Sequence, residues 1–302
     1  MTNSAVRVYG VKAFFTLCWQ GKLTILLSTV IASILSVIIA ITAPNLYKSE
    51  VALEYVKESE NKLSSSASEI GQLASFAGLS LGGSGENQKA INLAILSSRK
   101  FISQFIDKHQ LLVPLFASES WDVVSGKLLI NPDVFDEKTG KWLRKTKPPL
   151  KAKPSKQEAV EAFKNIFSVA VDQATTLIHA QITFISADLA NKWLTLLIKD
   201  YNQYIRAEDL HTSQKNIEYL ENKAESVNNS NMKLVFFSLL EEEQKKIMLA
   251  QVSEEYVFKV IDPSVAAEKR DSPKRALICV AGAILGGFIG VFIILIRQFN
   301  RA

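Results

Sequence analysis

Eight basic side chains and one indole fall within 19 residues of this 302-residue chain: Lys138, Lys141, Arg144, Lys145, Lys147, Lys151, Lys153 and Lys156, with Trp142 among them. Such a cluster suits contact with an anion, either an acidic glycan or a lipid phosphate, with the indole stacking on a sugar face. Lys141, Trp142, Arg144 and Lys145 are the candidates for that contact. A solvated loop accounts for the same composition.

Other chemistry is missing from the sequence. His109, His179 and His211 fall on three separate elements, and neither cysteine joins them into a metal-ligand spacing. His179 reads as an ordinary polar-face strand residue. Gly78 and Gly83 have the P-loop gap, but Ser84 stands where a lysine must reach the phosphates. No G-x-S-x-G elbow accompanies the many serines, and Glu241/Glu242 read as solvating charge on a helix face. The expectation is a protein with no catalytic residue, no cofactor and no metal. It would act by binding and geometry rather than as an enzyme.

The elements that must position these residues begin with two uncharged apolar runs of 21 residues, Leu23–Ala43 and Ala276–Ile296. A bilayer core of about 30 Å needs about 20 such residues in a helix. Charge sets the orientation. The chain has 35 Lys and Arg against 30 Asp and Glu, and five of the bases (Arg7, Lys12, Lys22, Arg297, Arg301) lie in terminal segments without acids. The net charge of +5 therefore belongs to the two tails, which the positive-inside tendency holds in the cytoplasm. Lys274 and Arg275, just outside the second span, oppose this at that end. The same tail charge explains a pI of about 9.0 without nucleic acid. The first run is too long for a signal-peptide core, and Ala43-Pro44 is a poor cleavage site, so a retained anchor is expected. Cys18 and Cys279 lie beside or within the spans, so no disulfide staples the domain between them.

In that domain Val51, Leu53 and Tyr55 alternate as a strand. Residues 61–86 are rich in Ser and Gly and read as a loop with a short helix around Ile70–Phe76. Asn87 is placed to cap a helix carrying Ile91, Ile95, Ile102 and Ile106, ending before Pro114. Residues 117–154 read as loop. Ser155 with Glu158 predicts a capping box, opening a helix through Phe163, Ile166 and Phe167. Ile178, Ala180, Ile182 and Phe184 predict a strand. From Asp188 the pattern is helical: Leu189, Trp193, Leu197, Tyr201 and Tyr204 form one stripe, continued by Leu210, Ile217, Leu220, Ala224 and Val227. Neither Gly nor Pro occurs from 188 to 262. Asn228–Asn231 is a bend or a turn. A second helix over Leu234–Val252 leads into a return strand at Tyr256, Phe258 and Val260. The expected fold is an α+β membrane protein: two transmembrane helices flank a periplasmic α/β base domain with a long extended helical arm. An apolar stripe this long needs partner helices, so Ile217, Leu220 and Ala224 are expected to pack in a homo-oligomer.

The second span carries Gly282, Gly286 and Gly290 at intervals of four, a tandem GxxxG that permits close helix–helix approach in lipid. A generic packing groove is the plainer reading of the same residues.

The run EEYVFKVIDPSVAAEKRDSPKRALICVAGAILGGFIGVFIILIR, Glu254–Arg297, resembles the C-terminal signature of the Wzz chain-length determinants, polysaccharide co-polymerases of the bacterial inner membrane. In that pattern Ser-Pro-Lys precedes GxxxG by eleven residues, as Ser272-Pro273-Lys274 precedes Gly286 and Gly290 here. A second, upstream proline element departs from it: Pro263 is present, but Ala266 stands in its partner's place. ILSSRKFISQFI, NPDVFDEKTGKW and SLLEEEQKKIMLAQV extend the resemblance over most of the chain. It implies a ring-like homo-oligomer that sets the modal length of O-antigen or a related glycan made by a Wzy-type polymerase. Contact with that polymerase would run through the Gly282/Gly286/Gly290 face, and lipid-linked glycan is a further possible partner. Tyrosine-kinase relatives need a cytoplasmic ATP site and a Tyr-rich tail, so the non-kinase branch is expected. A two-span sensor would share the topology but needs a cytoplasmic output domain. A periplasmic adaptor of a capsule or exopolysaccharide exporter would also share the long helices. The expected segments are 1–22 cytoplasmic tail, 23–43 first span, 44–187 base, 188–253 arm, 254–275 return strand and linker, 276–296 second span and 297–302 cytoplasmic tail.

Overall fold

The computed structural model describes residues 19, 22–56, 85–122, 125–227 and 229–299. The short helix expected near Ile70, most of the Ser/Gly-rich loop with Gly78, Gly83 and Ser84, and Arg7, Lys12, Cys18, Asn228 and Arg301 lie outside them. The chain divides into two compact units, residues 1–46 with 269–302, and residues 47–268.

Among the described residues the first unit holds the helices α1 (Lys22–Thr42) and α8 (Arg275–Phe299). Each is long and apolar enough to cross a membrane. Their large side chains turn outward, with Leu23 and Leu27 on α1 and Leu285 and Phe288 on α8 all more than half exposed. Such a surface suits hydrocarbon rather than water.

The second unit is built on a four-stranded antiparallel sheet whose strands lie in the order Phe167–Val171 (β6), Ile178–Phe184 (β7), Tyr47–Tyr55 (β1) and Phe258–Asp262 (β8). β1 (Tyr47–Tyr55) pairs with β7 (Ile178–Phe184), setting Val51 opposite Ala180 and Leu53 opposite Ile178. The predicted alternation is present: Ile178, Ala180, Ile182 and Phe184 are buried, while His179, Gln181 and Thr183 line the other face. There the Glu50 carboxylate meets Lys48 Nζ and His179 Nδ1, each at 2.9 Å. β8 (Phe258–Asp262) returns the chain to β1.

Several expectations need correction. Asn87 does not cap a helix; it lies in the first turn of α2 (Gly85–Leu96). The expected single helix breaks at Ser97–Ser98, where Ser98 caps α3 (Arg99–Lys108) by accepting from the Phe101 N–H at 3.2 Å. Pro114 sits in the first turn of α4 (Leu112–Ala117), where its missing N–H costs nothing. The segment 117–154 holds two hairpins: β2 (Ser118–Asp122) with β3 (Lys127–Ile130), and β4 (Phe135–Asp136) with β5 (Lys141–Trp142). Asp136 builds the second turn, accepting from Thr139 Oγ1 at 2.6 Å, while Gly140 takes φ +67°. Phe167 opens β6 (Phe167–Val171) instead of extending α5 (Lys156–Ile166). The predicted capping box of α5 is present in both halves.

α6 (Ala187–Ser226) runs 40 residues, about 60 Å. Its first half lays Ala190, Trp193, Leu194, Leu197, Ile198, Tyr201 and Ile205 into the core with Phe101, Phe105, Leu53 and Phe163. α7 (Ser230–Val252), capped by Asn229, then runs back along the second half. Asn216 Nδ2 reaches Glu243 at 3.3 Å, and Arg206 reaches the Ser253 carbonyl at 3.3 Å. α6 and α7 therefore form a helical hairpin. Of the arm stripe, Ile217 (8 % exposed) and Ala224 (7 %) are covered within the chain, and Leu220 is half-buried.

Candidate functional site

Two places gather the residues singled out in the sequence, one in each unit.

In the first unit, Gly282, Gly286 and Gly290 face α1. A Cβ at Gly286 would stand 2.7 Å from Ala32 Cβ and 2.8 Å from Thr29 Cα, and one at Gly290 would stand 2.7 Å from Ile25 Cα. At Gly282 it would meet the Ser36 side chain. The backbones approach closely enough for the Ser28 hydroxyl to reach the Gly286 carbonyl at 2.9 Å. α1 thus answers the glycines with small residues of its own, Ser28, Ala32 and Ser36, at intervals of four. That complementary pattern is legible in the sequence once it is sought. This face, expected to contact a polymerase, packs against α1 of the same chain. Below the pair, Ser272-Pro273-Lys274 is pinned to the residues that leave α1. The Leu46 N–H donates to the Ser272 carbonyl at 2.8 Å, and the Leu46 carbonyl accepts from the Asp271 N–H at 2.8 Å. Arg275 Nη2 reaches Asn45 Oδ1 at 3.2 Å, while Lys274 is exposed.

In the second unit, the basic cluster runs from the β4–β5 hairpin to α5. Trp142 is half-buried with its ring 5.0 Å from Phe135, so the indole packs within the hairpin. Arg144 is also engaged internally. It bonds Glu158 at 2.6 Å and the Lys151 and Ala152 carbonyls at 3.0 and 3.3 Å, and its guanidinium lies 5.3 Å from the Phe116 ring. The Ser155 backbone N–H and then Arg144 hold the Glu158 carboxyl below its ordinary pKa. Thr146 Oγ1 donates to the Leu150 carbonyl at 3.1 Å. Lys141 and Lys145 remain exposed beside Leu143 and Leu150. Pro149, Leu150, Lys151, Lys153, Pro154 and Glu158 line an open cavity of about 390 Å³. Of the four residues named for anion contact, the lysines are therefore available and the arginine and tryptophan are structural.

Sequence reasoning missed the buried polar groups. Tyr201 donates to the Asn92 carbonyl at 2.7 Å, and Asn92 Nδ2 reaches the Tyr55 hydroxyl at 3.0 Å. Burial pushes the Tyr201 hydroxyl far above its usual pKa. Asn202 clamps the start of β8: its Nδ2 donates to the Phe258 carbonyl at 2.8 Å, and its Oδ1 accepts from the Val257 and Phe258 N–H groups at 2.9 Å. Asp200 ties α6 to the end of α3 through Lys108 at 2.8 Å and His109 at 2.7 Å. Each partner lies 37 or more residues away in the chain, beyond any periodicity. Among the described residues no group of three or more His, Cys, Asp or Glu could hold a metal ion.

Residues 11–109 match the family model described as chain length determinant protein (Wzz). Residues 226–299 match the model described as the G-rich domain on putative tyrosine kinase (GNVR), a stretch that takes in α7, β8, Ser272-Pro273-Lys274 and α8. No curated protein sequence matches significantly. Among solved structures, a full-length bacterial polysaccharide co-polymerase shares 13 % identity over 95 % of this chain and 97 % of its own, with a TM-score of 0.38. A fragment of WzzB, a polysaccharide co-polymerase from Salmonella Typhimurium, shares 11 % over 76 % of this chain and 100 % of its own, with a TM-score of 0.29. The chain is thus similar to chain length determinants over residues 11–109 and to the GNVR domain over residues 226–299.

Proposed function

We propose that this protein sets the modal chain length of O-antigen made by a Wzy-type polymerase, as a non-enzymatic homo-oligomer in the bacterial inner membrane. Both termini lie in the cytoplasm and residues 47–268 in the periplasm. The observation that carries the reading is the chain length determinant match over residues 11–109. The charge of the tails supports the orientation. The oligomer is supported by α7, which exposes Met232, Leu234, Val235, Phe237 and Leu239 in succession, a run too apolar to be left in water. These residues replace Ile217, Leu220 and Ala224 as the surface for a second copy. With the glycine face covered by α1, contact with the polymerase falls to other residues. Deleting the gene and running the surface polysaccharide on a silver-stained gel tests the reading. A clustered ladder that disappears and returns with the intact chain is expected; an unchanged ladder would overturn it.

A second reading, a co-polymerase or periplasmic adaptor for capsule or exopolysaccharide export, shares the two apolar helices and the long helical hairpin. In that case deletion would leave the lipopolysaccharide ladder intact and change the amount or size of the capsule.

A further inference from the structure

We propose that the loop between β5 and α5 is a binding site for an acidic glycan segment, seated in the cavity lined by Pro149, Leu150, Lys151, Lys153, Pro154 and Glu158. The choice of a glycan rests on the polysaccharide reading above; the choice of an acidic one rests on the loop itself.

Charge is the first argument. From Lys138 to Lys156 there are eight bases and no acid. The structure uses two of them internally, Arg144 on Glu158 and Lys156 on Asp107 at 2.7 Å. Glu158, the acid within the cavity, is thereby neutralised. The remaining six lysines form no ion pair among the described residues, and all are exposed. Unpaired cations at this density, from the β4–β5 turn to the start of α5, raise the local concentration of a polyanion, and binding releases the counterions that otherwise gather there.

Form is the second. The loop is fixed: Arg144 fastens residues 151–152 back onto β5, Thr146 closes the turn to Leu150, and the capping box anchors the far end at Ser155. Two prolines in the wall stiffen it further. A cavity of about 390 Å³ falls within the range of about 300–1,000 Å³ common for ligand sites. Its exposed Pro149 and Leu150 surfaces give apolar faces for the C–H side of a sugar ring, the part first assigned to Trp142. Lys151 and Lys153 stand beside them to meet carboxylates. Lys151, Lys153 and Pro149 line a hollow, a form that suits an oligosaccharide better than the plane of a bilayer.

The test uses the purified full chain in nanodiscs of zwitterionic lipid. Oligogalacturonate and a neutral maltooligosaccharide of equal length are titrated calorimetrically. The acidic oligosaccharide should bind and the neutral one should not, with affinity falling steeply as salt rises. Lys151→Ala with Lys153→Ala should weaken binding about tenfold, as expected for two surface cations lost from one site. Equal binding of both sugars, no binding of the acidic one, or no effect of the double substitution would overturn the proposal. So would vesicles containing phosphatidylglycerol that capture the chain through these lysines while oligogalacturonate does not bind. None of these outcomes depends on the polysaccharide ladder, so the site and the length-control reading can fail separately.

Discussion

Replacing Asn202 with leucine tests whether the arm and the sheet are joined by the buried amide. Asn202 is 4 % exposed on α6, and both ends of its amide are used by the backbone of Val257 and Phe258, which are themselves fully buried. Leucine fits the volume but offers no polar atom, leaving two N–H groups and one carbonyl without their partner. Each unsatisfied buried group costs about 1–3 kcal/mol. Burying the leucine side chain returns about 1.5–3 kcal/mol of the total. The net loss is about 3 kcal/mol, which for a unit of this size lowers the melting temperature by about 6–12 °C. Thermal unfolding of the full chain in detergent, followed by near-ultraviolet circular dichroism, reads it, with Trp193 buried on the same helix as a reporter. Asn222→Ala is the control, because Asn222 is exposed and its amide bonds only to its own helix at the Glu218 carbonyl. It should stay within about 0.5 kcal/mol of the parent. If Asn202→Leu shifted the transition no more than Asn222→Ala, the clamp would contribute nothing and the reasoning would fail.

Gly286→Leu should destabilise the α1/α8 pair by about 1–3 kcal/mol or more, because even its Cβ meets the Thr29 backbone at 2.8 Å. Gly287→Leu should be tolerated, since the nearest atom to its Cβ is Thr29 Oγ1 at 3.9 Å; equal melting temperatures for the two variants would refute the packing argument. The pH dependence of stability tests the capping box. Glu158 has a lowered pKa in the folded state, so its contribution is complete above the ordinary glutamate value of 4.5 and is lost as pH falls through the folded value. Urea midpoints at pH 7 and pH 3.5 should therefore differ more for the parent than for Glu158→Gln, and identical differences would mean the carboxylate contributes nothing.

What was legible in the sequence was local. Uninterrupted apolar runs announce α1 and α8, period-two alternation announces β1 and β7, and Ser155 with Glu158 announces a helix start within one residue of its observed position. Two-residue strands such as Phe135–Asp136 and Lys141–Trp142 have no period to detect, so their hairpin passed for loop. β6 was hidden because Phe167 continues the helical spacing of Phe163 and then turns its back on it. At the candidate site, charge density was legible but allegiance was not. Nothing local in Arg144 says that its partner is Glu158, fourteen residues away, or that Trp142 faces Phe135.

A helix face can be occupied by one partner at a time, and this decides how the two striped helices must be read. The stripe of Gly282, Gly286 and Gly290 and the stripe of Ile217, Leu220 and Ala224 both suggested contacts between molecules. Both are satisfied within the chain, by Ser28, Ala32 and Ser36 in one case and by α7 in the other. A stripe in sequence reports that a face needs covering, and a helix next in line can cover it at less entropic cost than a second subunit. Intermolecular surfaces are better sought in what remains after those contacts form. On α7, Lys233, Phe236, Leu240, Glu243, Ile247 and Ala250 are among the less exposed positions and are spaced three and four apart as a helix–helix seam requires, with Ser238 and Leu249 half-buried at its margin. Met232, Leu234, Val235, Phe237 and Leu239 do not fit that seam and stay exposed. An apolar residue that breaks the pattern of its own hairpin is the stronger pointer to a second molecule.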